Sequence, residues 1–170
     1  KELGQLEDAL KSYSKGLTYN PNYIDLLNNL GVVLNDLGQL DEAVKSYERA
    51  IDIKPDYAEA YNNLGVTYNK LGQLEKAVQV YEKALKIDPD YADTHNNLGV
   101  VLKKLGQIDE AIDSYQKAIA INPDDADTYN NLGIVFDEQE RLDDAIQSYR
   151  KAVSIQSDLA EAYNNLGHTL

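Results

Sequence analysis

Residues 58–91 read AEAYNNLGVTYNKLGQLEKAVQVYEKALKIDPDY, and the rest of the chain is variations on this block. Leu30-Gly31, Leu64-Gly65, Leu98-Gly99, Leu132-Gly133 and Leu166-Gly167 follow one another at 34 residues, with no insertion or deletion. Tyr13, Tyr47, Tyr81, Tyr115 and Tyr149 keep the same offset, as do Ala43, Ala77, Ala111 and Ala145, and Pro21, Pro55, Pro89 and Pro123. A period this strict means stacked supersecondary units, each burying its apolar face on the next, and not one closed core. The kind of function to expect is a long surface that holds something.

Inside the block, Ala60, Tyr61, Leu64, Gly65, Tyr68 and Leu71 recur at helical spacing and define a first helix. Asp56 with Glu59 predicts a capping box at its start, repeated as Asn22/Asp25, Asp90/Asp93, Asp124/Asp127 and Asp158/Glu161. Gly72, like Gly38 and Gly106, supplies the left-handed residue that ends the helix. A second helix buries Leu74, Ala77, Val78, Tyr81, Ala84, Leu85 and Ile87, and Pro89 stops it because proline cannot continue the hydrogen-bond ladder. Gly65 and Ala77 are expected to let the two helices approach closely, and Ala84 to admit the next pair. Glu140 stands where the other units have the turn glycine, Ser157 replaces the proline, and Gly16 replaces an alanine. A side chain at a left-handed position costs energy, so the Glu140 turn should be the loosest joint.

Composition narrows the function. The 170 residues are 43% apolar, enough for a core, and no apolar run approaches membrane-spanning length. Acidic residues outnumber basic ones 29 to 16, and a net charge of −13 repels phosphate backbones while keeping an elongated stack in solution. Nucleic acid and membrane are therefore not expected partners. Cysteine is absent, which excludes disulfides, thiol catalysis and thiolate metal sites and is compatible with a cytoplasmic setting. Methionine is absent too, and the chain opens on Lys1-Glu2-Leu3 in mid-pattern, as expected of an excised piece of a longer protein.

Catalysis finds no support in the residues. His95 falls in a core aromatic place and His168 near the end of the chain, and neither has partners at a spacing suited to a triad or a metal site. Asp41-Glu42, Asp109-Glu110 and Asp143-Asp144 open second helices, where negative charge meets the positive end of the helix dipole. The glycines are spaced as caps and packing sites, unlike a nucleotide-binding loop. No enzyme activity, cofactor or metal is expected.

Tyr61, Leu64, Gly65, Tyr68, Ala77, Tyr81, Ala84 and Pro89 fall on the eight signature places of the tetratricopeptide repeat, which the chain resembles over essentially all of its length. The expected fold is all-α, an α-solenoid of antiparallel helix pairs coiling as a right-handed superhelix. A single array would comprise a half unit at 1–23, full units at 24–57, 58–91, 92–125 and 126–159, and a half unit at 160–170. The Asn-Asn-Leu-Gly signature is similar to the superhelical arm of O-linked N-acetylglucosamine transferases. That resemblance implies, as an alternative role, a substrate-recruiting arm of a larger glycosyltransferase-type enzyme.

In such arrays the first helices line the concave wall. Counting Ala58 as the first position, position 5 reads Asn28, Asn62, Asn96 and Asn130, and position 6 reads Asn29, Asn63, Asn97 and Asn131. Position 9 reads Val32, Val66, Val100 and Ile134. A carboxamide offers a donor and an acceptor, so two such rows beside an aliphatic row would read the backbone of an extended protein or peptide segment. Position 6 has a second reading, in which its amide bonds the neighbouring helix and simply orients it. Lys70, Lys103 and Lys104 are the only inward basic residues, and position 2 is acidic, so a carboxylate clamp is not expected. The lone helices near Leu6–Tyr19 and Ala160–Leu170 should each show an apolar face, which predicts head-to-tail association of copies.

Overall fold

A computed structural model describes the backbone of residues 2–170 and side chains from Gly4 onward, so the side chains of the mid-pattern opening, Lys1-Glu2-Leu3, lie outside the described residues. The chain divides into two compact units, residues 1–89 and 90–170. The first holds α1 (Glu2–Tyr19), α2 (Ile24–Asp36), α3 (Leu40–Ile53), α4 (Ala58–Lys70) and α5 (Leu74–Ile87). The second holds α6 (Ala92–Lys104), α7 (Ile108–Ile121), α8 (Ala126–Glu138), α9 (Leu142–Ile155) and α10 (Ala160–Thr169). The fold is all-α, with no strand among the described residues. None of these helices is long and apolar enough to cross a membrane.

Within each unit the helices pack in chain order. The pairs α2–α3 and α4–α5, and α6–α7 and α8–α9, make the broadest contacts, and α1–α2, α3–α4, α7–α8 and α9–α10 join the pairs. One residue couple builds every pair. Tyr47, Tyr81, Tyr115 and Tyr149 are at most 1% exposed, and their rings press against Gly31, Gly65, Gly99 and Gly133 of the preceding helix. A Cβ added at Gly31, Gly99 or Gly133 would stand 2.5, 2.7 or 2.6 Å from the facing tyrosine ring, closer than packed atoms tolerate. The space at Gly65 thus belongs to the Tyr81 ring, which refines the expectation that it serves backbone approach. Ala43, Ala50, Ala77, Ala84, Ala111, Ala118, Ala145 and Ala152 are buried to 1% exposure or less and fill the remaining narrow places. Leu27, in an aromatic place of the first unit, is 2% exposed and packs with Ala50 and Ala60.

Turns follow the expected chemistry with two corrections. Gly38, Gly72 and Gly106 have φ of 75°, 72° and 76°, and Glu140 adopts the same left-handed turn at φ 57°. Gly4 occupies the equivalent place but lies inside α1, which begins at Glu2 and not near Leu6. The capping boxes do not form as expected. Tyr23, Tyr57, Tyr91 and Leu159 occupy the cap positions without a side-chain cap bond, because the helices start one residue later than the boxes require. Among the described residues only α8 has a side-chain cap, Asp125, which accepts from Asp127 N at 3.1 Å and from the Thr128 hydroxyl. The Ser157 substitution changes little: Gln156 is extended (φ −122°, ψ 98°) like Asp88 before Pro89 (φ −130°, ψ 93°), and α9 ends at the equivalent residue.

Burial pushes the Tyr47, Tyr81 and Tyr115 phenols well above their ordinary value of 10.0 and that of Tyr149 up to about 12. The fold therefore favours the neutral phenols. Their contribution to stability is intact below pH 10 and is lost as pH rises through the folded-state values. In an alkaline titration, tyrosinate absorbance from these four should appear together with loss of helical circular dichroism. Replacing Glu140 by glycine should raise the denaturant midpoint, by about 1 kcal/mol of stability, because it relieves a left-handed side chain.

Candidate functional site

The two carboxamide rows have separate fates, and hydrogen bonding decides which does what. In the first unit Asn63 Nδ2 on α4 donates to Asn28 Oδ1 on α2 at 3.1 Å. Asn28 Nδ2 in turn donates to Glu59 Oε1 at 2.9 Å, so two side chains one turn apart on α4 grip one amide on α2. The second unit repeats the bond: Asn131 Nδ2 donates to Asn96 Oδ1, and Asn165 Nδ2 to Asn130 Oδ1, each at 3.1 Å. A polar group caught between two helices must be paired, and these offsets of 35 residues do the pairing.

Position 5 is consumed by this role. Asn28, Asn62 and Asn130 are only 1%, 6% and 4% exposed, and Asn96 is half-buried. The expectation that Asn28, Asn62 and Asn130 meet a ligand is therefore corrected: all three side chains are buried, Asn28 between α2 and α4 and Asn130 between α8 and α10. Position 6 stays nearer the surface, with Asn29 exposed and Asn63, Asn97 and Asn131 half-buried. In the aliphatic row Val32 is 37% exposed, while Val66, Val100 and Ile134 are half-buried.

Val100, Asn131 and Ile134 come together around a cavity of about 180 Å³ on the first-helix side of the second unit, with Lys103, Lys104 and Tyr115 completing its lining. Tyr115 escaped the sequence reading because its ring was assigned wholly to the core. Lys103 Nζ pairs with Glu138 Oε1 at 2.7 Å across α6 and α8, so much of its charge is answered within the fold. The acidic residue at position 2 was read as a capping-box partner and as an argument against a carboxylate clamp; Glu59 instead closes the amide pair.

Larger concavities lie on the second-helix side. One of about 710 Å³ in the second unit has Tyr129, Leu132 and Phe136 as its floor, and one of about 480 Å³ in the first unit has Tyr61, Leu64 and Tyr68. Their aromatic floors are already covered by the chain's own cations. Arg141 lies 4.2 Å from the Phe136 ring centre and Lys151 5.9 Å from that of Tyr129, while Lys76 and Lys83 lie over Tyr68 and Tyr61 at 5.3 and 5.8 Å. The aromatic faces in these grooves thus already have cationic partners from the chain itself.

His95 is 9% exposed, in keeping with a core place, and His168 is exposed in the last turn of α10. Among the described residues no group of three His, Cys, Asp or Glu side chains is placed to hold a metal.

Family comparison now decides the lineage. Models of the TPR repeat match residues 1–36, 33–72 and 67–106, and a tetratricopeptide repeat model matches 90–158. The chain belongs to the tetratricopeptide repeat family. Comparison with curated proteins gave no match. Among solved structures, MamA aligns at 28% identity over 93% of this chain and 92% of its own, with a TM-score of 0.81. A thermophilic TPR protein of Thermus thermophilus aligns at 26% identity over 99% and 92%, with a TM-score of 0.83. YrrB, a TPR protein with an unusual peptide-binding site, aligns at 25% identity over 94% and 82%, with a TM-score of 0.76.

If position 6 orients the stack, removing it should cost stability with no ligand present. Asn63→Ala strands the buried Asn28 Oδ1 and should lower unfolding free energy by about 1–3 kcal/mol. Asn29→Ala, on the exposed end of the row, should change it by less than about 0.5 kcal/mol. Denaturant titration of the two variants beside the parent chain checks both.

Proposed function

We propose that the chain is a non-catalytic scaffold whose first-helix faces bind an extended polypeptide segment. The observation that carries this reading is the cavity shared by Val100, Asn131, Ile134, Lys103, Lys104 and Tyr115. It offers apolar contact, an amide and cationic groups within one footprint, the mixture that a peptide requires. After donating to the preceding helix, the Asn131 amide retains by its chemistry a second N–H and an acceptor oxygen for a bound backbone. At the usual interaxial distance, neighbouring first helices within a unit would stand about 10 Å apart, and an extended chain advances roughly 3.3 Å per residue. One aliphatic residue per repeat would then meet every third ligand residue, giving contact along the segment with modest demands on its side chains. The peptide-binding site named for YrrB supports the same reading by likeness.

The contact set is Asn29, Val32, Asn63 and Val66 in the first unit and Asn97, Val100, Asn131 and Ile134 in the second, with position 5 as positioning residues. Nucleic acid is not a partner in this proposal, because a net charge of −13 opposes phosphate. Copies of the chain also join end to end through their terminal half repeats. A substrate-recruiting role for a larger transferase rests on the Asn-Asn-Leu-Gly signature and draws on no other feature of the site.

Peptides selected on the chain from a random display library provide the test. Val100→Glu and Ile134→Glu should each weaken them by at least about tenfold, with helical circular dichroism preserved. Unchanged affinity in both variants would remove this face from consideration.

A further inference from the structure

We infer that the second-helix groove of the second unit, lined by α7, α8 and α9, is a separate docking site for an acidic peptide segment with an apolar anchor. It uses Tyr129, Leu132 and Phe136 of α8, whereas the first-helix cavity uses Asn131 and Ile134 of the same helix. The inference therefore stands whether or not that cavity holds a ligand.

The repeat supplies an internal comparison. The grooves of the two units are built from equivalent residues two periods apart, with Ile51, Tyr61 and Leu64 in the first matched by Ile119, Tyr129 and Leu132 in the second. Their floors agree, so what separates them lies in the walls. In the first groove two carboxylates, Glu48 and Asp52, balance two lysines, Lys76 and Lys83. In the second, Gln116 replaces Glu48 and Ala120 replaces Asp52. Arg141 and Arg150 stand where the first unit has Gln73 and Glu82, and Lys151 keeps the place of Lys83. Asp144, in the place of Lys76, is the one carboxylate among the lining residues, and Arg141 Nη2 holds it at 2.6 Å. Three cations thus face a single carboxylate in a chain whose net charge is −13.

The cations remain available to an anion. Arg150 and Lys151 are exposed at the rim, and neither joins an ion pair among the described residues. Lys151 Nζ lies 5.9 Å from the Tyr129 ring centre, but a ring attracts a cation without neutralising its charge. The floor has changed to match. In the first unit the Tyr68 hydroxyl donates to Glu48 Oε1 at 3.3 Å, tying floor to wall. Phe136 has no hydroxyl to make that bond, so the second groove offers a purely apolar ring with Arg141 stacked 4.2 Å from its centre. Such a site accepts a leucine or phenylalanine against Leu132 and Ile119, with aspartate or glutamate reaching Arg150 and Lys151, whose charge steers acidic segments in and basic ones away. Phosphate would satisfy the rim alone. The apolar floor and the acidic remainder of the chain favour a peptide.

Fluorescence anisotropy with a dye-labelled peptide, Asp-Glu-Leu-Phe-Asp-Glu-Leu-Glu, tests this on the 170-residue chain. The peptide should bind one-to-one, and its counterpart with every carboxylate replaced by an amide should bind at least about tenfold more weakly. The double variant Arg150→Gln/Lys151→Gln should weaken the acidic peptide by at least about tenfold and keep the helical circular dichroism, since both residues are exposed. Lys15→Gln/Lys45→Gln removes the same charge from exposed positions of the first unit and should leave the affinity unchanged. An acidic peptide that does not bind, or that binds the Arg150→Gln/Lys151→Gln chain as well as the parent, overturns the site. Equal binding of the amide counterpart overturns the charge argument. A single-stranded oligonucleotide that binds the parent more tightly than the acidic peptide, and is lost in the same double variant, assigns the groove to phosphate and overturns the peptide.

Discussion

Each helix pair is organised around a tyrosine ring lying on a glycine, Tyr81 on Gly65 and its equivalents. The ring is the largest side chain in the pair's interior, and a Cβ on the facing residue would collide with it. Because the glycine presents bare backbone, the second helix settles at one separation and one rotation relative to the first. Burying such a ring stabilises by roughly 1.5–3 kcal/mol, and the arrangement accepts an opposing cost. The hydroxyls of Tyr47 and Tyr81 are buried without a hydrogen-bond partner. An unmet donor in the core is tolerable only if the aromatic face is worth more, which is why the residue pair recurs with so little variation.

Pair-to-pair register has a different origin. Alanines buried against neighbouring helices provide close fit but little direction, since a smooth apolar contact slides easily. The asparagine bonds supply direction: Asn63 to Asn28 and Asn131 to Asn96 fix which turn of one first helix faces which turn of the next. In the first unit Glu59 closes the other side of the Asn28 amide. Polar groups placed between helices thus act as pins, and the cost of separating them unpaired keeps the stack from slipping.

Committing these amides to the stack shapes what remains for a partner. Position 5 turns inward between helices, position 6 is spent in part, and the aliphatic row with Lys103, Lys104 and Tyr115 borders the open cavity of the second unit. The second-helix grooves have more volume, but Arg141, Lys151, Lys76 and Lys83 already lie over the aromatic rings in them. Volume alone is a poor guide to a binding face when the protein's own side chains already satisfy it.

The 34-residue period was sufficient by itself to determine the helix pairs, the glycine turns, the buried tyrosines and the family, because each depends on spacing along one chain. It also marked the first-helix stripe, since 3.6-residue periodicity puts positions 5, 6 and 9 on neighbouring lines. It could not say which of two adjacent asparagines faces a neighbouring helix, because Asn62 and Asn63 differ by one step of about 100°. Nor could it see that the helices begin one residue past the supposed capping boxes, or that Gly4, a turn residue elsewhere, lies within α1. The choice between the two asparagines depends on partners 35 residues away, so only the packed tertiary structure decided it.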